Sequence, residues 1–145
     1  MNGFIPHTYK LSITPDLVRF RFAGRVEISG EATTPTDDIT LHALELDILH
    51  CRAWIDDRFV DCSVTAEQER EQIRIRLPQK RAGDTRLEIA YQGVINDRMA
   101  GFYRSRYEVA GEARYVAVTQ FQESDARRAF PCQDHPAKKA AFNVE

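Results

Sequence analysis

Apolar and charged residues alternate over positions 18–28, and this alternation limits the possible folds more than any other feature of the sequence. One set of alternate positions is apolar and the other is charged: Val18, Phe20, Phe22, Val26 and Ile28 against Arg19, Arg21, Arg25 and Glu27. Because successive side chains of a β-strand point to opposite faces, the pattern predicts a strand with one buried face. Half-buried strands are typical of antiparallel sheets. Gly24 lies on the apolar face, where we expect a bulge or bend.

Similar patterns recur along the chain, with turn-forming residues between them. They predict strands over 9–13, 39–48, 51–55, 58–60, 63–65, 73–77, 87–91, 102–109 and 114–121. Turns are predicted where Pro, Gly and Asp cluster, at 34–38, 56–57, 82–84 and 110–112. Pro78 is expected to end a strand. The predicted fold is all-β, an antiparallel β-sandwich with saddle-like sheets and one or two short helical turns near the C-terminus.

Length and composition narrow the class of protein. A chain of 145 residues predicts one domain, 1–145, with its own core. A net charge of −2 gives no electrostatic reason to expect nucleic acid or an anionic membrane as a partner. No apolar run is long enough to span a membrane, and the N-terminus lacks the pattern of a signal peptide.

The cysteines are few and widely spaced. Cys51, Cys62 and Cys132 form an odd set without a C-x-x-C pair, which favours reduced thiols and a cytoplasmic location. A bridge between Cys51 and Cys62 across a hairpin is geometrically possible. No histidine base is placed near Cys132 by a recognised motif, so we interpret it as a small buried residue.

Motifs for catalysis are absent from the sequence. Two histidines separated as in H-E-x-x-H would bind zinc from one helix face, but the four histidines here are scattered: His7, His42, His50 and His135. There is also no G-x-S-x-G elbow or P-loop. We therefore expect no catalytic residue and no metal ligand in this chain.

Two glutamines stand at the end of the predicted strand 114–121. By strand alternation Gln120 and Gln122 share a face with Val116 and Val118, so an apolar row ends in two amides. Such a pair can line a cleft and bind a small polar group such as a substrate amine. The alternative is that both amides are simply solvated. A helical turn is predicted next, over 124–128 with Ser124 as N-cap, and a second one opens at 134–136.

The run TQFQ…DARRAFPCQDHPAKKAAF, residues 119–142, resembles the signature of the aminopeptidase N-type zinc metallopeptidases, which include leukotriene hydrolase. GFYRSRY (101–107) and PHTYKLSITPDL (6–17) are similar to the same family. The resemblance implies the N-terminal β-domain of a longer enzyme. Its partners would be a peptide substrate with a free N-terminus and a catalytic domain that holds Zn²⁺. The strand that starts at 141 and stops at 145 led us to expect that the chain continues.

The resemblance also implies roles for single residues. Gln120 would help to shape the pocket for the first side chain of the substrate, and Gln122 stands where an acidic residue usually binds the α-ammonium. Leukotriene hydrolase resembles this chain in having glutamine there. Arg127 or Arg128 would fix the turn after the strand. The alternatives are a non-catalytic protein-interaction module of a family member without zinc, or a free-standing sandwich that binds peptide or carbohydrate.

Overall fold

The computed structural model describes residues 3–145. Within that range the chain forms eight β-strands and two short 3₁₀ turns, 68–70 and 126–128. The strands are β1 Phe4–Asp16, β2 Arg21–His42, β3 Leu46–Ile55, β4 Arg58–Glu67, β5 Gln72–Val94, β6 Gly101–Val109, β7 Glu112–Gln120 and β8 Ala141–Val144.

Six strands form one sheet in the order β3–β4–β5–β2–β1–β8, and β6 and β7 form a separate two-stranded hairpin. The pairs among β1–β7 are antiparallel, whereas β8 joins β1 in parallel. The prediction of an all-β, mainly antiparallel fold is confirmed. Within residues 3–145, no helix has the length and apolarity needed to cross a lipid bilayer.

The paired strands β2 and β5 run on through positions where the sequence predicted chain reversal. The predicted turns at 34–38 and 82–84, and the predicted strand end at Pro78, lie inside strands of 22 and 23 residues. Thr36 lies opposite Arg81, and the register shifts on both sides of Thr36. The turn-forming residues of the two strands therefore face each other, and they bend a two-stranded ribbon instead of reversing the chain.

The bend lets both halves of the ribbon contribute to one core. Val26 and Ile28 before the bend belong to the same buried cluster as Ile39 and Leu41 after it. The bulge predicted at Gly24 is wrong, because the pairing runs through this residue without a register shift. A Cβ atom at Gly24 would lie 2.2 Å from Cζ of Tyr91, so the glycine makes room for a buried ring.

The turns predicted at 56–57 and 110–112 are confirmed, and each joins two strands through a two-residue loop, 56–57 and 110–111. Asp56 and Asp57 have φ of 50° and 61°, and Ala110 and Gly111 have φ of 52° and 80°. Two positive φ values in a two-residue loop are those of a type I′ turn, which matches the twist of the flanking strands. The β6–β7 hairpin leaves several large apolar side chains exposed: Tyr107, Val109, Tyr115 and Val116.

Candidate functional site

The two glutamines lie next to each other at the end of β7, in a different arrangement from the predicted one. The strand ends at Gln120, so Gln122 lies in the turn beyond it and not on a shared strand face. The backbone N–H of Gln122 donates to Oε1 of Gln120 over 3.1 Å. Both side chains are exposed. Because a backbone N–H needs an acceptor, this bond sets the orientation of the Gln120 amide.

Aromatic packing holds the exit from β7 in place. Phe121 is half-buried, and its ring centroid lies 5.8 Å from that of Phe130 in an edge-to-face contact. Phe130 in turn contacts Tyr9 and Phe142. The chain turns back at once, since the N–H of Asp125 donates to the carbonyl of Phe121 over 3.0 Å. Gln122 thus lies in a tight turn whose first residue, Phe121, packs against the core.

The predicted helical turns are only partly present. A 3₁₀ turn spans Ala126–Arg128, but its N-cap is Asp125 and not Ser124, and no side-chain cap bond forms. The second predicted helical turn is wrong. Residues 135–138 form a simple turn instead, in which the N–H of Lys138 donates to the carbonyl of His135 over 2.9 Å. Proline after an exposed loop residue is equally compatible with such a turn.

Arg127 is the central side chain of the segment that follows the glutamines. Its Nε donates to Oδ2 of Asp134 over 3.0 Å, and its Nη1 donates to Oε2 of Glu71 over 2.9 Å. Its backbone carbonyl accepts from the N–H of Leu44 over 2.9 Å. Arg127 is buried, and a buried charge is tolerated where it is paired and hydrogen-bonded in this way. The prediction that an arginine fixes the turn is confirmed.

A backbone bridge ties the same segment to the end of β2. His42 and Cys132 exchange two hydrogen bonds, of 2.7 and 3.1 Å. The ring of His42 accepts a third bond at Nδ1 from the N–H of Asp134, over 3.1 Å. Burial, followed by the nearby charge of Arg127, lowers the pKa of His42 below its usual range. His42 is therefore a neutral acceptor at pH 7, and its ring and backbone both support the segment that follows the glutamines.

Gln133 is a supporting residue that sequence reasoning missed. Its N–H donates to the hydroxyl of Tyr9 over 3.1 Å, and its Nε2 donates to the carbonyl of Phe4 over 2.8 Å. Gln133 is buried although glutamine is usually exposed. The only signal in the sequence was its position beside Cys132, which was itself interpreted as buried. Cys132 is indeed buried, and burial raises the pKa of its thiol.

Arg128 supports the other side of the glutamine pair. Its Nε donates to Oδ1 of Asp125 over 2.8 Å, and its Nη1 lies 3.1 Å from Oε1 of Glu45. Partial burial would raise the pKa of Glu45, but a hydrogen bond from Arg98 and the charge of Arg128 hold it below its usual range. The stem of Arg128 packs against Gly101, which pairs with Gln120 across the hairpin. Arg128 is therefore held by two carboxylates and packs against the β6 residue that pairs with the end of β7.

The described residues do not fit a metal site. No group of three or more His, Cys, Asp or Glu side chains within 3–145 is placed to bind a metal ion. His42 uses Nδ1 for the bond from Asp134, and the exposed His135 uses Nδ1 for the N–H of Ala137, over 3.1 Å. We derive no chemical step through a metal from this chain.

The profile described as Peptidase M1 N-terminal domain matches residues 5–145. This chain belongs to the peptidase M1 N-terminal domain family. The predicted resemblance is thereby confirmed over nearly the whole chain.

Relatives of this M1 N-terminal domain are named as aminopeptidases. Aminopeptidase M1-A of Oryza sativa subsp. japonica is 40% identical over 96% of this chain and 16% of its own length. Aminopeptidase 2, mitochondrial, of Saccharomyces cerevisiae is 37% identical over 99% of this chain and 15% of its own length. The alanine/arginine aminopeptidase of the same yeast is 32% identical over 99% and 17%. The chain thus spans about one sixth of the length of the relatives it matches.

Proposed function

We propose that this chain is the N-terminal, non-catalytic domain of a zinc-dependent aminopeptidase, and that it supplies one wall of the substrate cleft. The main support is the pair Gln120 and Gln122. Their exposed amides lie at the end of β7 and in the turn that follows it, and the buried residues Arg127 and Phe130 hold the segment after this turn in place. Membership of the M1 N-terminal domain family and aminopeptidase relatives support the parent activity. Zinc and the catalytic residues would come from the parent's catalytic domain.

The two amides have different roles in this proposal. The carbonyl oxygen of Gln120 is engaged by the N–H of Gln122, so Gln120 offers its NH₂ group to the wall of the pocket for the first substrate side chain. The side-chain oxygen of Gln122 accepts a hydrogen bond from the substrate's α-ammonium. An amide oxygen gives such a bond without a full negative charge, and a charge-assisted bond to a carboxylate is roughly twice as strong as a neutral one.

The exposed apolar side chains of the β6–β7 hairpin support the proposal that another domain of the parent protein contacts this hairpin. Tyr107 and Val116 are 46% and 45% exposed and lie on the same face of the hairpin. Contiguous exposed apolar side chains mark an interaction surface more often than a free one. The proposed occupant is the parent's catalytic domain, which would also close the cleft in front of Gln120 and Gln122. The free thiols favour a cytoplasmic location for the parent.

The test uses the aminopeptidase that carries this domain and two matched competitive inhibitors, one with a free α-amine and one without it. Gln122→Ala should weaken the amine inhibitor about tenfold, which corresponds to one lost hydrogen bond of about 1.4 kcal/mol. Gln122→Glu should strengthen it. Neither change should alter the inhibitor that lacks the amine.

Ser124→Ala is the control, because Ser124 is exposed in the same turn. Equal effects of the Gln122 changes on both inhibitors would contradict an ammonium-binding role while leaving the domain assignment intact. A parent protein that cleaves no peptide would overturn the wider proposal and favour the non-catalytic interaction module.

A further inference from the structure

Cys51 and Cys62 are directly opposite each other on neighbouring antiparallel strands. The β3–β4 register pairs the two residues directly, and four further residue pairs lie between them and the turn at Asp56-Asp57. Directly paired residues of an antiparallel ladder have Cα atoms about 4.5–5.5 Å apart, within the range that a disulfide spans. Both are free cysteines. The backbone thus already places the two Cα atoms at a separation that a disulfide can span.

The two thiols differ in their access to solvent. Cys51 is 1% exposed and belongs to the core cluster, whereas Cys62 is half-buried and lies at the edge of that cluster. The Sγ of Cys62 contacts the carbonyl of Val60 at 3.6 Å. A hydrogen bond from Cys51 lowers the pKa of the Cys62 thiol, whereas the same contact and burial raise that of Cys51. An accessible thiol of lowered pKa beside a protected partner is the arrangement of an attacking and a resolving cysteine.

We propose that Cys51 and Cys62 form a reversible dithiol–disulfide site that reacts with low-molecular-weight disulfides of the glutathione type. The Cys62 thiolate attacks one sulfur of the small disulfide, whose S–S bond breaks and releases one small thiol. The small molecule released first leaves as a thiolate and takes up the proton of Cys51, whose sulfur attacks the Cys62 sulfur and releases the second small molecule as a thiolate. The two protein thiols lose two electrons in total, and the small disulfide gains them.

The position of the pair suggests what the bridge would do. Strand β4 pairs with β3 up to Cys62 and with β5 from Ser63 onward. Cys51 also pairs with Ile89 of β5, so three strands meet at this point. A bond between Cys51 and Cys62 would prevent β4 from separating from β3 where it changes partner. The oxidised chain should therefore unfold at higher temperature than the reduced chain, by about 5 °C.

The experiment incubates the full 145-residue chain with mixtures of oxidised and reduced glutathione, blocks free thiols and digests with trypsin. Cleavage after arginine and lysine places the three cysteines on separate peptides, 26–52, 59–70 and 129–138. We expect a linked 26–52/59–70 peptide that disappears on reduction, while Cys132 stays reduced because it is buried. The glutathione ratio at half-oxidation gives the potential of the pair.

Two variants test the order of attack. Cys51→Ser should accumulate a mixed disulfide of Cys62 with glutathione, because the resolving thiol is gone. Cys62→Ser should leave Cys51 reduced, and Cys132→Ser should behave like the unaltered 145-residue chain. A mixed disulfide that persists at Cys62 in the unaltered chain, or a Cys62 that does not react at all, would overturn the proposal.

Discussion

Arg127 and Asp134 form a partly buried ion pair, with 3.0 Å between Nε of the arginine and Oδ2 of the aspartate. The pair closes the short segment that begins with the two glutamines and ends at the bridge between Cys132 and His42. The same guanidinium reaches Glu71, in the link between β4 and β5. A single side chain thus connects the proposed substrate-binding turn to the bent six-stranded sheet.

Replacing Arg127 should be among the most destabilising single changes near this turn. Arg127→Met leaves the partly buried Asp134 without its cation, and we expect the free energy of unfolding to fall by about 3 kcal/mol. The value lies at the low end for a buried pair because the Glu71 side chain is 42% exposed. Urea unfolding measures the change. Arg114→Met is the matched control, since Arg114 pairs with Glu112 on the surface at 4.0 Å and should contribute less than about 0.5 kcal/mol. Equal losses in the two variants would contradict the role of Arg127.

His42 should make stability depend on pH. Because the pKa of His42 is lowered in the folded chain, folding favours its neutral form and the unfolded chain binds more protons. The contribution of neutral His42 to the free energy of unfolding is complete at pH values above the pKa of histidine in the unfolded chain, about 6.5. This contribution is lost as the pH falls below that pKa. His42→Asn keeps an acceptor near the Asp134 N–H and cannot titrate, so its free energy of unfolding should be flatter between about pH 5 and 7. His50→Asn, on the exposed side of β3, is the control and should retain the slope of the unaltered chain.

Gly101 and Gly111 are two glycines of the β6–β7 hairpin that differ in their surroundings. Both have positive φ, 69° and 80°. A Cβ atom at Gly101 would lie 2.5 Å from Cβ of Arg128, whereas one at Gly111 would meet nothing within 4 Å. Gly111→Ala should therefore cost only the backbone strain, about 1 kcal/mol, and Gly101→Ala should cost clearly more. Thermal unfolding of both variants checks this order, and the reverse order would show that Arg128 moves aside freely.

The fold class followed from alternation alone, and so did most strands. Period-two patterns such as Ile73, Ile75 and Leu77 report which side chains are buried, and all three are. The same local pattern does not report where a strand bends. Thr36 and Arg81 lie in stretches with turn chemistry, and only their pairing across β2 and β5 decides that they bend the ribbon. The bulge predicted at Gly24 failed for a similar reason, since the ring that needs the space belongs to Tyr91 on another strand.

The candidate site was predicted through its motif more than through geometry. Strand alternation placed Gln120 and Gln122 on one face, but Asp125 N–H donates to Phe121 and turns the chain one residue after Gln120. The supporting network was only partly visible. Arg127 or Arg128 was expected to fix the turn, but Glu71, a partner of Arg127, is distant in sequence and no local pattern identifies it. Partners that lie far apart in the sequence are set by tertiary packing.

Two buried tyrosines should respond in opposite directions when their hydroxyl groups are removed. Tyr9 accepts a hydrogen bond from the N–H of Gln133 over 3.1 Å, whereas the Tyr91 hydroxyl is buried without a hydrogen-bond partner among the described residues. Tyr9→Phe leaves a buried N–H unpaired and should lower the free energy of unfolding by about 1–2 kcal/mol. Tyr91→Phe removes a polar group that burial penalises, and should leave stability unchanged or raise it by up to about 1 kcal/mol.

The tyrosine pair is measured by urea unfolding of the two variants side by side, with the slope against denaturant checked for each. Burial raises the pKa of both phenols, so both remain protonated at neutral pH and the comparison is between neutral groups. Both rings are at most 2% exposed, which makes loss of packing equal in the two changes. A destabilisation of Tyr91→Phe as large as that of Tyr9→Phe would contradict the absence of a hydrogen-bond partner for the Tyr91 hydroxyl among the described residues.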